Sequence, residues 1–207
     1  MTRFRLTRCT VAVLTGLITV SACGGSSKQA APNGGTAQTT APTAAPTAAE
    51  SNPSGDIPDN QAFVAFADPG GRFTVTVPEG WARSSTGTAT VFADKYNSVR
   101  VESRSVASAP TPDSARKGEL AAIQSSSPGF VAGKISTVSR QAGSAVLITY
   151  QASSPPNPVT GKTVKAAIER YEFWRAGREV VLTVAAPVGS DNVDPWRKIT
   201  DSFTWTR

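Results

Sequence analysis

The sequence contains no histidine. That excludes a Ser-His-Asp triad, a Cys-His dyad and any His-ligated zinc. A nucleophilic serine would need lysine as its base, and Ser125–Ser127 has none at a recognisable spacing. Cysteine is nearly absent as well: Cys9 and Cys23 are the two, so nothing after residue 23 can form a disulfide. No basic run follows the first ten residues. Arg3, Arg5 and Arg8 supply three of the 21 positive charges; the other eighteen face fifteen acids, a net of +3. That is an ordinary solubility charge, and it excludes the footprint of a nucleic-acid binder. Gly70-Gly71 and Gly80 lie in no strand–GxGxxG–helix unit and read as turn glycines.

What is present begins with an export pattern. Met1 to Arg8 carries three arginines and no acid, and Cys9 to Val20 is apolar apart from small residues. Such a run fits the apolar core of a signal peptide, about 7–15 residues. It falls short of the ~20 residues that span a bilayer. Val20-Ser21-Ala22-Cys23 then resembles the bacterial lipobox, an aliphatic residue and two small ones before cysteine. The resemblance implies a signal peptide over 1–22, cleavage before Cys23, and a thioether-linked diacylglycerol on the Cys23 sulfur. Two or more acyl chains make a stable anchor where one is marginal. The expected location is the outer, extracytoplasmic face of the cell membrane.

Residues 23–61 read as the lipidated cysteine and a disordered spacer of Gly, Ser, Ala, Thr, Pro, Asn and Gln. A tract such as TTAPTAAPTAAESNPSG cannot bury enough surface to offset chain entropy. As a flexible coil the whole spacer spans about 35 Å. The Ala/Thr/Pro/Arg-rich chain resembles actinobacterial lipoproteins, whose Thr/Pro tracts can be O-mannosylated; Thr39, Thr40, Thr43 and Thr47 are the candidates, with a bare linker the alternative.

Residues 62–207 read as one globular domain. Phe73, Val75 and Val77 alternate with Arg72, Thr74 and Thr76, the pattern of a strand with one wet face. Asp68-Pro69-Gly70-Gly71 is turn chemistry and makes Ala62–Ala67 the hairpin partner. Trp81, after Pro78-Glu79-Gly80, is expected to fold back onto the core. Strands follow at Thr90–Ala93 and around Val99–Glu102, then a helix opened by Thr111-Pro112-Asp113, its apolar face formed by Ala115, Leu120, Ala121 and Ile123. Lys134–Arg140 is a weak strand. Ala145–Ala152 is nearly all apolar and is predicted to be central. Lys162–Arg175 shifts its alternation, with Val164, Ala166 and Ile168 on one face and Tyr171 and Phe173 on the other. A bulge near Glu169–Arg170, or burial on both faces, would account for it. Ala176-Gly177-Arg178 turns into Glu179–Pro187, and Asp194-Pro195 starts a last helix with Trp196, Ile199 and Phe203 on one side.

Helices against a mostly antiparallel sheet make an α+β sandwich. DPGGRFTVTVPEGW and WRKITDSFTW resemble the opening hairpin and the closing helix of the PsbP-like fold, over about Phe63 to Trp205. That fold includes a Ran-binding nuclear transport factor and LpqN/LpqT-type envelope lipoproteins of actinobacteria. The resembling motifs are structural and carry no catalytic residue.

Candidate chemistry is sparse. Glu169 and Glu172 fall on opposite faces of a strand and do not pair as acid and base. Glu102 and Glu179 read as exposed partners of arginines. Asp191-Asn192-Val193-Asp194 lacks the glycine and distal glutamate of a calcium loop and reads as helix capping. Tyr150, Tyr171, Phe173, Trp174 and Trp81 either expose a partner surface or fill the core. No catalytic residue, metal or cofactor is expected. The resulting expectation is a non-enzymatic envelope lipoprotein that binds a protein or other envelope partner and no nucleic acid. The alternative is a carrier of a lipid or other apolar small molecule, with a cavity lined by Leu147, Ile148, Val181 and Trp196.

Overall fold

The computed structural model describes residues 55–206. The signal segment, Cys23, the threonine tract and most of the spacer lie outside the described residues. In chain order the elements are β1 (Phe63–Ala67), β2 (Phe73–Pro78), β3 (Ala82–Thr86), β4 (Ala89–Asp94), β5 (Asn97–Ser105), α1 (Pro112–Ser114), a π-helical turn (Ala115–Glu119), α2 (Leu120–Ser126), β6 (Val131–Arg140), β7 (Gly143–Ser153), β8 (Lys165–Arg175), β9 (Arg178–Pro187), α3 (Val193–Asp201) and β10 (Thr204–Trp205). No described helix is long and apolar enough to cross a membrane.

Seven strands form one antiparallel sheet in the order β3-β4-β5-β9-β8-β7-β6, and β1-β2-β10 form a second. The central strand is β9. Val180, Val181, Leu182 and Val184 are each 1% exposed or less, so both of its faces are covered, as its continuous β-branched run requires. Ala145–Ala152, predicted to be central, lies in β7, next to the edge strand β6. Its apolar run reflects cover on both faces rather than a central position. The alternation shift in β8 has the same origin: β8 pairs with both neighbours in unbroken register, and Tyr171, Glu172 and Phe173 are all buried. The irregularity lies instead in β6, between Ala132 and Ile135.

Three layers result. On one face of the large sheet, the small sheet and α3 enclose the main core. Phe203 sits at its centre, with its ring 4.4 Å from Phe173 and 5.6 Å from Phe73. Trp81 packs against this core, as expected. On the other face, Ala115 and Ile123 press onto Val146 and Ile148. Thr111 caps α1, accepting from the Ser114 amide at 3.1 Å while its own amide donates to the Ser114 hydroxyl at 2.8 Å. Ala121, predicted to face the core, is exposed. The π-helical turn inserts an extra residue before α2 and rotates that position outward.

Strand β3 escaped the sequence reading because all five of its residues are exposed at the sheet edge. The β8–β9 turn has positive φ at Ala176 (49°) and Gly177 (81°), the two-residue geometry that suits a twisted hairpin. Residues 55–57, read as spacer, lie against the domain: Ile57 is 3% exposed and its amide donates to Asn192 Oδ1 at 2.7 Å.

Candidate functional site

Two groups of side chains stand out, one on each face of the large sheet. The first is a groove on the main-core face, where β6, β7 and β8 run past the end of α3. It has two lobes of about 230 and 270 Å³ that share Ala167, Glu169 and Trp196. The β6 irregularity forms one wall. There a Cβ on Gly133 would stand 2.4 Å from the Thr149 carbonyl oxygen, so only glycine fits. The Lys134 amide, displaced from the ladder, donates to Thr149 Oγ1 at 2.8 Å.

The second lobe holds a polar chain. Arg140, from the end of β6, donates to the Tyr171 hydroxyl at 2.9 Å, to Thr200 Oγ1 at 3.0 Å and to the Ser139 carbonyl at 3.0 Å. Tyr171 donates in turn to Glu169 Oε2 at 2.5 Å. Burial, reinforced by the Glu169 carboxylate, pushes the Tyr171 phenol up to about 12. The phenol therefore keeps its proton at neutral pH and serves as a fixed donor. Leu147, Pro187, Val193 and Trp196 supply the apolar walls.

The opposite face carries a charge lattice under α1 and the π-helical turn. Register places Arg100, Glu102 and Arg104 of β5 beside Glu179 of β9, and Arg170 and Glu172 of β8 one strand further on. Glu119 enters from the π-helical turn. Arg104 bonds Glu179 and Glu119 together. Arg170 donates to Glu119 at 2.6 Å and to Glu172 at 2.9 Å, and Arg100 to Glu102 at 2.6 Å. Four glutamates thus meet three arginines, and the lattice is neutral when one glutamate holds a proton.

Glu172 is that residue. Burial first, then its hydrogen bond with Glu119, raises it to about 7. Its Oε2 is sealed from solvent with no N–H donor in reach. Burial opposes ionisation of Glu119, but the bond to Glu172 and the Arg170 and Arg104 guanidiniums outweigh it and hold Glu119 below the usual carboxylate range. Oxygens of Glu119, Glu172 and Glu179 lie within 4.8 Å of one another, a spacing that suits a hard cation. Arg104 and Arg170 already donate to all three, so guanidinium charge stands where a metal's would.

Several sequence expectations resolve here. Glu169 and Glu172 do lie on opposite faces, one bonded to Tyr171 and the other to Arg170. Glu179 does pair with an arginine across strands, but it is 1% exposed rather than solvated, because α1 and the 106–110 loop cover it. Tyr171 and Phe173 fill the core, and Trp174 donates to the Val106 carbonyl at 2.9 Å. Asn192 precedes α3 without capping it through its side chain. It holds the 55–57 segment instead, donating to the Gly55 carbonyl at 3.0 Å. Of the proposed cavity set, Leu147 and Trp196 line the groove, while Ile148 and Val181 point to the opposite face. Arg140, Arg170 and Glu119 went unnoticed in the sequence. The Arg-x-Glu-x-Arg alternation at 100–104 was the available signal for the lattice.

The solution structure of the cyanobacterial PsbP protein CyanoP from Synechocystis superposes with a TM-score of 0.52. It is 11% identical, over 70% of this chain and 94% of that one. The fold is PsbP-like. A crystal structure of a Bacteroides thetaiotaomicron protein matches at 14% identity and a TM-score of 0.47, covering 69% of this chain but 48% of that longer one. LpqN, involved in cell envelope biogenesis of Mycobacterium tuberculosis, matches at 19% identity and a TM-score of 0.38, over 72% and 93% of the two chains. No family model matches the chain, and neither does any curated protein sequence. At these identities the likeness establishes the PsbP-like fold alone.

Proposed function

We propose that this chain is a lipid-anchored protein of the cell envelope whose PsbP-like domain binds a protein partner without catalysing a reaction. The observation that carries the reading is the groove beside α3: apolar walls from Leu147 and Trp196, a polar floor from Glu169, and a mouth beside the exposed Val193. Such a mix of apolar and fixed polar groups suits recognition. It suits acid–base chemistry poorly. The sequence has no histidine, and Tyr171, at about 12, is too weak an acid to exchange its proton near neutral pH.

The lipobox-like Val20-Ser21-Ala22-Cys23 supports the anchor, with acyl chains on Cys23 and the 23–61 segment as spacer. The polar floor at Glu169, common to both lobes, suits a partner's side chain better than the apolar tail a lipid carrier encloses. A photo-crosslinking amino acid at Val193, in cells, tests the reading. A discrete protein adduct is the expected result. Its absence at Val193, with none at other groove-rim positions, would overturn partner binding here.

A further inference from the structure

We infer that the groove takes a lysine side chain of the protein partner, its ammonium on Glu169 and its alkyl stem along Trp196 and Leu147. This rests on the partner-binding reading above.

The first observation is a charge left over. Glu102, Glu172 and Glu179, the glutamates of β5, β8 and β9, each bond an arginine. Glu169, half-buried, makes no ion pair among the described residues. Arg140 lines the same lobe but donates to Tyr171, Thr200 and Ser139 and lies nearer Asp201, at 3.6 Å. Arg197, at the mouth, pairs with Asp201 at 3.5 Å. Glu169 has one hydrogen-bond donor, Tyr171, and no ion pair, which leaves acceptor capacity for an incoming cation.

The second observation concerns which cation. Tyr171 already occupies Glu169 Oε2 at 2.5 Å. A guanidinium fork uses both carboxylate oxygens side by side, whereas an ammonium is a point charge that needs one. Trp196 lines both lobes next to Glu169, and an indole attracts a cation and packs against a methylene stem.

The third observation is size. The lobe of about 270 Å³ accepts one long side chain, with Leu147, Pro187 and Val193 along its walls. A lysine projecting from a folded or extended partner meets all three conditions.

The experiment uses the protein extracted from its own membrane in mild detergent, with ¹⁵N-indole tryptophan. Trp81, Trp174, Trp196 and Trp205 give four resonances, assigned with Trp196→Phe. Acetyl-Ala-Lys-Ala-amide is titrated to ~50 mM, because one partly buried ion pair gives millimolar binding. The expected result is a saturable shift of the Trp196 resonance, absent with the Nε-acetyl-lysine peptide and weakened about tenfold in Glu169→Gln. The glutamine keeps an acceptor for Tyr171, so the fold is retained. No shift, an equal shift with the acetylated peptide, or indifference to Glu169→Gln would each overturn the inference. Partner binding is scored separately by the Val193 crosslink. An adduct that persists unchanged in Glu169→Gln leaves that reading intact while the lysine assignment fails.

Discussion

Tyr171 and Glu169, two residues apart on the same face of β8, share a 2.5 Å hydrogen bond at the floor of the groove. The bond orients Glu169 and adds to the burial that pushes the phenol up to about 12. Tyr171→Phe removes the donor. In a spectrophotometric titration the wild-type protein is expected to show a tyrosinate step near pH 12 that the variant lacks. An unchanged titration would mean that the step belongs elsewhere.

Glu172 makes stability depend on pH in an unusual direction. Its folded-state value of about 7 lies above the unfolded carboxylate's 4.5, so the native state binds the extra proton between those limits. Stability from this group is therefore fully present below about pH 4.5 and declines as pH rises towards 7, by up to about 3 kcal/mol. Glu119, held below its usual range, acts the other way and loses its contribution only at more acidic pH. Denaturant melts from pH 4.5 to 7.5 should show the decline, and Glu172→Gln should flatten it. A wild-type profile that rises over this window would contradict the shared-proton lattice.

Arg104→Ala strips Glu179 of its partner while that carboxylate stays 1% exposed. An uncompensated buried charge costs about 3–5 kcal/mol. Replacing both residues with methionine should cost much less, because no charge is left stranded. Equal losses in the single and double variants, by urea unfolding, would show that packing rather than charge dominates.

Phe203→Ala empties the centre of the main core, between the Phe73 and Phe173 rings. The expected loss is about 3–5 kcal/mol, measured by equilibrium unfolding. Gly133→Ala acts locally: its Cβ would meet the Thr149 carbonyl oxygen at 2.4 Å, so faster amide exchange is expected in β6 and β7, with β5 and β9 unchanged.

Much of the fold was legible in the sequence wherever one face of a strand is wet. Phe73-Thr74-Val75-Thr76-Val77 and Val99-Arg100-Val101-Glu102 declare their faces by alternation, and both are strands with those valines buried. Alternation fails where both faces are covered, as at Tyr171-Glu172-Phe173, and where neither is, as in β3. The charge lattice was harder to read. Arg104, Glu119, Arg170 and Glu179 are brought together by strand register and by a π-helical turn, neither of which local spacing reveals. The groove was half legible. Leu147 and Trp196 were named as cavity residues, but the wall made by the Gly133 irregularity depends on β6 pairing out of step with β7.

Native mass spectrometry of the protein extracted from its own membrane in mild detergent tests a lipid-anchored, partner-binding protein most directly. The predicted result is a mass for residues 23–207 plus acyl chains on Cys23, together with a bound protein that is lost when Val193 or Trp196 is replaced by a bulky charged residue. An unlipidated mass with no bound protein would contradict both the anchor and the binding role.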